Sequence, residues 1–568
     1  MMNSIYIDTL GCFKNIEDSE RAAGLLRASG FDLAGAPEDA DVIIVNTCGF
    51  IEDAKRESID RVLELAAHKA HGAKLIVSGC LSQRYPDEIF VEIPEADAVI
   101  GVNEYERLPE IVAALLEGET PGDSTSARRT LRADCEAEPE YRTLRTDGEA
   151  EPGRRILRTD GAPGILTGPR VRTDAGATAY LKIAEGCDNR CAYCAIPMIR
   201  GPYRSVPMEA LTGEAASLAA SGVRELVLIA QDVSAYGADI YEKYALPKLL
   251  GELAGEAAKG AEEVRSEVGE AAKGAGKVRS EVGEVAKENG KSNTGVGEAA
   301  KGAGEPNPGI EWLRLMYCYE ERVTDELIAA IAAHPSVCNY IDIPLQHISD
   351  AVLKRMGRRS THASIEATIA KLRAAIPDIA IRTTFMTGFP GETEEDFDEL
   401  MDFAMAQRFE RLGVFAYSPE DGTRAADMPD QIPREIAEER RDALMRQQVG
   451  ISLEKNKAFI GRTLKVLVEA LDTDETQDTE VTGYTGRTNV DNSPDRTAYD
   501  ALQENGNHTG EQTITYTGRT EYDAPEIDGA VIFTSTKPLP IGTFAEVLIT
   551  DAMDYDLVGQ AKKEPRFL

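Results

Sequence analysis

Residues 185–197 read EGCDNRCAYCAIP, and this stretch places three of the nine cysteines of the chain within eight residues. Cys187, Cys191 and Cys194 form a C-x3-C-x2-C pattern with no adjacent histidine. Zinc sites usually combine C-x2-C pairs from two places with further Cys or His to reach four ligands, and electron-transfer clusters use four cysteines. Three thiolates in one loop therefore predict a 4Fe–4S cluster with one iron open to a substrate or cofactor. A zinc knuckle or a chance grouping of buried cysteines is the alternative.

The sequence around this loop predicts an open barrel. Residues 177–455 contain six apolar stretches separated by helical stretches, which indicates a partial (β/α)6 barrel rather than the closed eight-fold form. The cysteine loop follows the first of these strands, at the carboxyl face where barrel active sites gather. Residues 251–307 interrupt the pattern with copies of GEAAKGA, and we interpret them as a low-complexity insertion.

The N-terminal segment carries a second, dispersed set of cysteines. Residues 1–118 alternate strands and helices, which predicts a parallel α/β sheet. Three of the strands are expected to end at Cys12, Cys48 and Cys80. Because the carboxyl ends of parallel strands share one edge, where ligands bind, we expect the three thiols to converge on a second cluster. Three small buried residues that pack a sheet edge are the alternative.

Two polar residues follow the first of these cysteines. Lys14 and Asn15 either border the second site or serve as a solvated charge and a helix-entry cap. The second interpretation is favoured, because asparagine commonly caps a helix start and a lysine is mostly exposed.

Two further regions differ in character from these α/β segments. Residues 119–176 repeat LRAD, LRTD and VRTD without an apolar face, which predicts a linker or insertion in which Cys135 is an incidental thiol. Residues 456–568 hold short apolar strands between Gly and Asp turns, which predicts a small β-barrel. The motif YTGRT occurs twice there, which indicates another insertion at about 471–515.

Composition limits the cellular setting and the partners. The chain of 568 residues has no apolar run of about 18 residues and begins without a signal peptide, so we expect a cytoplasmic protein with no membrane partner. An odd number of cysteines in a large chain disfavours a disulfide framework. The net charge of −36 disfavours phosphate backbones and favours a basic protein partner, unless it serves only solubility.

The cysteine loop, with Tyr193 before its last cysteine, resembles the signature of the radical S-adenosylmethionine superfamily. In that superfamily S-adenosylmethionine chelates the open iron. An electron from the cluster cleaves S-adenosylmethionine to a 5′-deoxyadenosyl radical, and this radical abstracts hydrogen from an unactivated C–H bond. The order of the three regions is similar to that of the methylthiotransferases of this superfamily, whose last domain is a TRAM β-barrel. The resemblance covers the chain except for the insertions.

The resemblance implies two 4Fe–4S clusters and S-adenosylmethionine as cofactors. Carried over residue by residue, the ligands of the radical-generating cluster would be Cys187, Cys191 and Cys194. The ligands of the auxiliary cluster, which takes part in sulfur insertion, would be Cys12, Cys48 and Cys80.

The resemblance also suggests three residues on the cofactor side. Tyr193 would lie near the adenine, and the segment TGFPGE (387–392), with Gly388, resembles a cofactor-side turn that is preceded on its strand by Arg382. A Gly–Pro turn and a strand arginine need no cofactor to explain them, so both interpretations stay open.

Four blocks resemble the branch that methylthiolates the β-carbon of an aspartate in small-subunit ribosomal protein twelve. They are LGCFKNIEDSE (10–20), IAQDVSAYG (229–237), YIDIPLQHISDAVLKRMGRR (340–359) and APEIDG (524–529). Phe13 departs from the pattern, because that branch usually has proline there. The implied partners are that ribosomal protein, free or within its subunit, and a reductant protein, with no direct tRNA substrate.

Two alternatives remain open. A second branch of the family carries out the same chemistry on an adenosine beside the tRNA anticodon, and a non-enzymatic iron–sulfur electron carrier would also need cysteine ligands. Residues 461–568 hold nine Lys and Arg against twenty Asp and Glu, a net charge of −11. Such a barrel is poorly suited to RNA and suits a basic protein substrate.

Overall fold

The structure is a computed structural model that describes residues 3–117, 156–173, 176–255, 309–472 and 513–562. The predicted repeats at 119–155, Cys135, most of the GEAAKGA insertion and residues 473–512 lie outside the described residues. The predicted domain boundaries stay predictions.

The N-terminal region is a six-stranded parallel sheet in the order β2-β1-β3-β4-β5-β6. Its strands are β1 (Ser4–Thr9), β2 (Asp32–Leu33), β3 (Val42–Thr47), β4 (Lys74–Gly79), β5 (Ala98–Ile100) and β6 (Ile156–Arg158). Every residue of β3 is buried, as expected for a central strand with both faces covered. The helices of this N-terminal region are α1 (Phe13–Ala28), α2 (Glu52–Ala66), α3 (Cys80–Arg84), α4 (Pro86–Glu92) and α5 (Leu108–Glu117).

One strand of this sheet corrects the sequence prediction for residues 119–176. Residues 156–158 were expected to belong to an unstructured linker, yet they form β6 and pair with β5. The segment then returns over α1, where Arg170 forms an ion pair with Glu20. Tertiary pairing thus orders this part of the predicted linker, and a strand of only three residues is too short to show a pattern in the sequence.

The central region is a second six-stranded parallel sheet, in the order β14-β13-β12-β11-β10-β7. This confirms the predicted partial barrel of six βα units. Its strands are β7 (Thr178–Lys182), β10 (Glu225–Ile229), β11 (Trp312–Leu315), β12 (Val337–Asp342), β13 (Ala380–Thr387) and β14 (Arg411–Ala416), and a two-stranded ribbon joins β8 (Ala184–Glu185) to β9 (Arg204–Ser205).

Helices cover the outer face of this sheet. The short helix α6 (Ile196–Arg200) packs beside Cys80 of the N-terminal region instead. The covering helices are α7 (Met208–Ala220), α8 (described over 246–255), α9 (Asp325–Ala333), α10 (Asp350–Met356), α11 (His362–Ala375), α12 (Glu394–Gln407) and α13 (Arg434–Lys457). Alternate residues of β10 face opposite ways, since side chains alternate along a strand. Leu226 and Leu228 pack on the helices, whereas Val227 and Ile229 pack toward the C-terminal region.

The C-terminal region is a closed five-stranded barrel, in the order β15-β16-β17-β19-β18. Its strands are β15 (Thr463–Leu471), β16 (Ile514–Arg519), β17 (Val531–Ser535), β18 (Phe544–Ala552) and β19 (Leu557–Ala561). Its core continues into the inner face of the central sheet, where Trp312 meets Phe544 with ring centroids 4.6 Å apart. The three-part α/β architecture predicted from the sequence is confirmed.

A search of the described residues for a helix that is long and apolar enough to cross a membrane finds none.

Candidate metal centre

The first cysteine set lies in the loop between β8 and α6. Two backbone hydrogen bonds hold the loop from opposite sides: Cys187 N donates to Gly201 O at 3.1 Å, and Ala192 N donates to Met356 O at 2.7 Å. Gly186 has a positive φ of 78°, and a Cβ there would overlap with the carbonyl oxygen of Pro202. The loop is therefore fixed by its neighbours before any metal binds.

Two cysteines of this loop, Cys187 and Cys191, are buried, and Cys194 is partly buried. Burial raises the pKa of Cys187 to about 11, with Cys191 adding to the effect. Burial likewise raises the pKa of Cys194 to about 12, with contributions from Cys191 and Cys187. Neutral thiols in this setting release protons when a metal binds, because the ligand is the thiolate.

Two residues that the sequence analysis did not single out adjoin Cys191. The hydroxyl of Tyr319 lies 3.3 Å from Cys191 Sγ, and the guanidinium of Arg358 stands 4.4 Å from the centre of the Tyr319 ring. Neither residue belongs to a local motif with the cysteines, so only the folded chain shows this contact.

The second cysteine set lies at the carboxyl edge of the N-terminal sheet. Cys48 directly follows β3, Cys80 directly follows β4, and Cys12 stands three residues beyond β1 as the residue before α1. Gly11 lets these loops approach one another. Its φ is +92°, and a Cβ there would lie 2.7 Å from Cys48 Cβ and 3.0 Å from Cys48 Sγ.

The cysteines of the second set also raise one another's pKa. Burial raises the pKa of Cys48 to about 12, and Cys80 and Cys12 add to it. Burial also raises the pKa of Cys80. Cys12 is exposed whereas Cys80 is buried, so the site is open on one side. Within each set the cysteines raise one another's pKa, and their assignment as cluster ligands stays a prediction.

The donor chemistry of both sets fits iron–sulfur clusters. Among the described residues, no three His, Cys, Asp or Glu side chains form a group that could hold a metal ion. A cube places each thiolate on a different iron, so its three ligands need a wider spacing than ligands of one ion. Two groups of thiols alone, with no histidine or carboxylate in either triad, suit Fe–S clusters.

A buried network of charges connects the two sets. Arg200, at the end of α6, forms ion pairs with Asp18 of α1 at 2.9 Å and with Glu185 at 3.0 Å. Lys182 of β7 pairs with the same two carboxylates and with Glu17. Although burial alone would raise it, Arg200 and Lys182 hold the pKa of Glu185 well below its usual range. These charges compensate one another where the N-terminal and central regions meet.

The structure corrects the favoured interpretation of Lys14 and Asn15. Both are buried, and the Asn15 side chain donates to Leu10 O at 2.8 Å and accepts from Arg200 at 2.8 Å. The Lys14 ammonium lies 3.6 Å from the centre of the Tyr317 ring. Neither is a solvated charge or a helix cap, because the central region packs over the start of α1.

The three residues suggested for the cofactor side lie in different settings. Tyr193 meets Phe389 edge-to-face with centroids 6.4 Å apart, so the TGFPGE turn does lie beside the cysteine loop. Gly388 donates its N–H to Glu392 at 2.9 Å, and a Cβ there would overlap with Ala437 of α13.

Arg382 has other partners. It pairs with Asp342 at 2.9 Å and with Asp528, near the C-terminal barrel, at 3.5 Å. Its contact with a cofactor, and those of Tyr193 and Gly388, stay predictions.

Comparison with known proteins relates this architecture to three families. Residues 4–101 match the uncharacterized protein family UPF0004, residues 181–404 the radical SAM superfamily, and residues 498–561 the TRAM domain. The chain is 39% identical over 560 residues to the ribosomal protein uS12 methylthiotransferase RimO of Lachnoclostridium phytofermentans, with 98% of this chain and 100% of that protein covered. The chain belongs to the RimO family.

A second RimO, from Desulforamulus reducens, is 39% identical over 561 residues and is covered to 99%, with 98% of this chain aligned. Among solved structures, the radical S-adenosylmethionine methyltransferase TsrM from Kitasatospora setae aligns with a TM-score of 0.47 and 15% identity, over 73% of this chain and 75% of that one. Membership in the RimO family confirms that the chain is an enzyme, a radical S-adenosylmethionine methylthiotransferase. Its cofactors are 4Fe–4S clusters and S-adenosylmethionine.

Proposed function

We propose that this protein transfers a methylthio group to the β-carbon of an aspartate in ribosomal protein uS12. The observation that carries the proposal is the full-length similarity to RimO proteins, together with two cysteine triads on either side of one buried interface. The first triad is Cys187, Cys191 and Cys194, and the second is Cys12, Cys48 and Cys80.

Each cysteine triad would hold one of the two clusters. When bound, the two clusters and S-adenosylmethionine supply radical activation of a C–H bond, sulfur and the methyl group. The loop of the first triad holds one cluster in a buried setting, which keeps water from the radical. The second triad holds the other cluster at a site that Cys12 leaves open to solvent, where sulfur and substrate have access.

The charges of the C-terminal barrel support a protein substrate over tRNA. Three of its described basic side chains already have acidic partners: Arg519 pairs with Glu225 at 2.7 Å, Lys465 with Glu311 at 2.5 Å and Lys562 with Glu546 at 3.7 Å. RNA binding depends on Lys and Arg that neutralise phosphates. With these three cations engaged and a net charge of −11 over residues 461–568, the barrel suits a basic ribosomal protein better.

We place the enzyme in the cytoplasm, acting on uS12 free or within the ribosomal subunit, with electrons from a reductant protein. The described cysteines form no disulfide with one another, which agrees with this compartment.

Mass spectrometry of uS12 from a strain that lacks this protein tests the proposal. We expect the methylthio mass on the aspartate to disappear in the deletion strain and to return with the wild-type gene. The Cys187→Ala gene, as the matched control, should not restore it. If uS12 is unchanged while a tRNA adenosine loses its methylthio group, the tRNA branch is the correct one.

A further inference from the structure

Arg200 connects the helix that follows the first cysteine set to a cysteine of the second set. It lies six residues after Cys194, at the end of the short helix α6, and its side chain is buried. From there the guanidinium reaches across the interface and donates to Cys80 Sγ of the second set at 3.4 Å. The same nitrogen donates to Asn15 Oδ1 at 2.8 Å.

The surroundings hold this guanidinium in one position. Asp18 and Glu185 pair with its other terminal nitrogen at 2.9 and 3.0 Å. One carboxylate comes from the N-terminal region and one from the central region, so both regions fix the arginine. A planar guanidinium with several fixed donors suits this role better than a flexible ammonium.

The two sets therefore differ in what contacts their sulfur atoms. Cys80 accepts from a cation, whereas the side chain of Cys191 contacts the neutral hydroxyl of Tyr319. Hydrogen bonds and charge near the ligating sulfurs tune the reduction potential of a cluster. A donated N–H that carries positive charge stabilises the reduced, more negative state, and so raises the potential.

We propose that Arg200 is a positioning residue that orients Cys80 and raises the reduction potential of the second cluster above the value it would have alone. This inference rests on the proposed function, because it needs Cys12, Cys48 and Cys80 to hold a cluster. The competing explanation is that Arg200 only joins the two regions through Asp18 and Glu185. In that case its loss would change stability and leave the potential where it was.

A redox titration followed by electron paramagnetic resonance separates these explanations. The full chain with Cys187, Cys191 and Cys194 all changed to alanine contains only the second cluster. In this background, Arg200→Gln should shift the potential to more negative values, and Arg200→Lys, which keeps the charge but loses the fork of donors, should shift it less. The control Arg314→Gln removes another buried guanidinium, which pairs with Glu225 at 2.7 Å near the C-terminal barrel, and should shift nothing. Equal potentials in all four proteins would overturn the inference.

A second measurement detects the unsubstituted Arg200 side chain beside the cluster. With ¹⁵N-arginine incorporated into the same background, nuclear double resonance of the reduced second cluster should show a ¹⁵N coupling, which Arg200→Lys should remove. Absence of that coupling would overturn the inference. Iron content separates a failure of the Arg200 role from a failure of the cluster-ligand assignment. About four irons per chain with an unmoved potential refutes the role of Arg200 alone, whereas loss of all iron refutes the ligand assignment of the proposed function.

Discussion

Both cysteine sets contain three thiols, but different features of the chain bring the members of each set together. Cys187, Cys191 and Cys194 share one loop, so their spacing along the chain brings them together. Cys12, Cys48 and Cys80 are spread over the N-terminal sheet and meet only because β1, β3 and β4 are parallel neighbours. The first site therefore depends on local chain geometry, whereas the second depends on the whole sheet being folded in register.

The largest expected effect is on the first set. Cys187→Ala removes a proposed ligand of the radical-generating cluster, so deoxyadenosine formation should fall to background, and methylthiolation with it. The measurement is deoxyadenosine release after anaerobic reconstitution and reduction. Cys318→Ala is the matched control, because Cys318 is also a buried cysteine but packs in the core of the central sheet. Release at the wild-type rate from Cys187→Ala would remove this residue from the ligand set.

Loss of the second cysteine set should affect methylthiolation without affecting cleavage of S-adenosylmethionine. Cys48→Ala should retain cleavage of S-adenosylmethionine but lose methylthiolation, and its iron content should fall from about eight to about four per chain. Iron counting and product analysis on the same preparation measure both. Full methylthiolation by Cys48→Ala would show that the dispersed cysteines have no part in sulfur insertion.

A smaller effect is expected at the backbone of the dispersed site. Gly11→Ala introduces a methyl group 2.7 Å from Cys48 Cβ at a φ of +92°, so the second cluster should be partly lost. Gly30→Ala is the matched control, because Gly30 has the same φ of +92° and nothing within 4 Å of its added Cβ. Both variants should lose about 1–3 kcal/mol of unfolding free energy from backbone strain, measured by denaturant unfolding. Equal iron content in the two variants would show that the approach of Gly11 to Cys48 does not matter to the site.

The smallest effect is expected at the hydroxyl that touches Cys191. Tyr319→Phe removes a contact of 3.3 Å to Cys191 Sγ, and one hydrogen bond contributes about 0.5–1.5 kcal/mol. The rate of deoxyadenosine formation should fall about two- to tenfold with the iron content unchanged. Tyr236→Phe, which removes a buried hydrogen bond to Val206 O at 2.9 Å, should leave that rate as it is. A wild-type rate in Tyr319→Phe would make this contact one of packing only.

The contrast between a local and a dispersed set also explains which features the sequence predicts and which it does not. The apolar runs of β3 and β10 and the tight cysteine spacing predict the two sheets and the first set, because these signals are local. The strand β6 was missed, since only three residues of a polar segment pair with β5. Arg200 was missed as well, because nothing in its neighbouring sequence shows that it meets Asp18 and Cys80 from another region.

Iron counting with Mössbauer spectroscopy on three reconstituted full-length proteins tests whether the chain holds two clusters on two separate cysteine sets. The proteins are the wild type, the variant with alanine at Cys187, Cys191 and Cys194, and the variant with alanine at Cys12, Cys48 and Cys80. Two clusters on two separate sets predict about eight irons per chain in the wild type and about four in each variant, all as 4Fe–4S. About four irons in the wild type, unchanged when the dispersed cysteines are replaced, would show that Cys12, Cys48 and Cys80 hold no cluster.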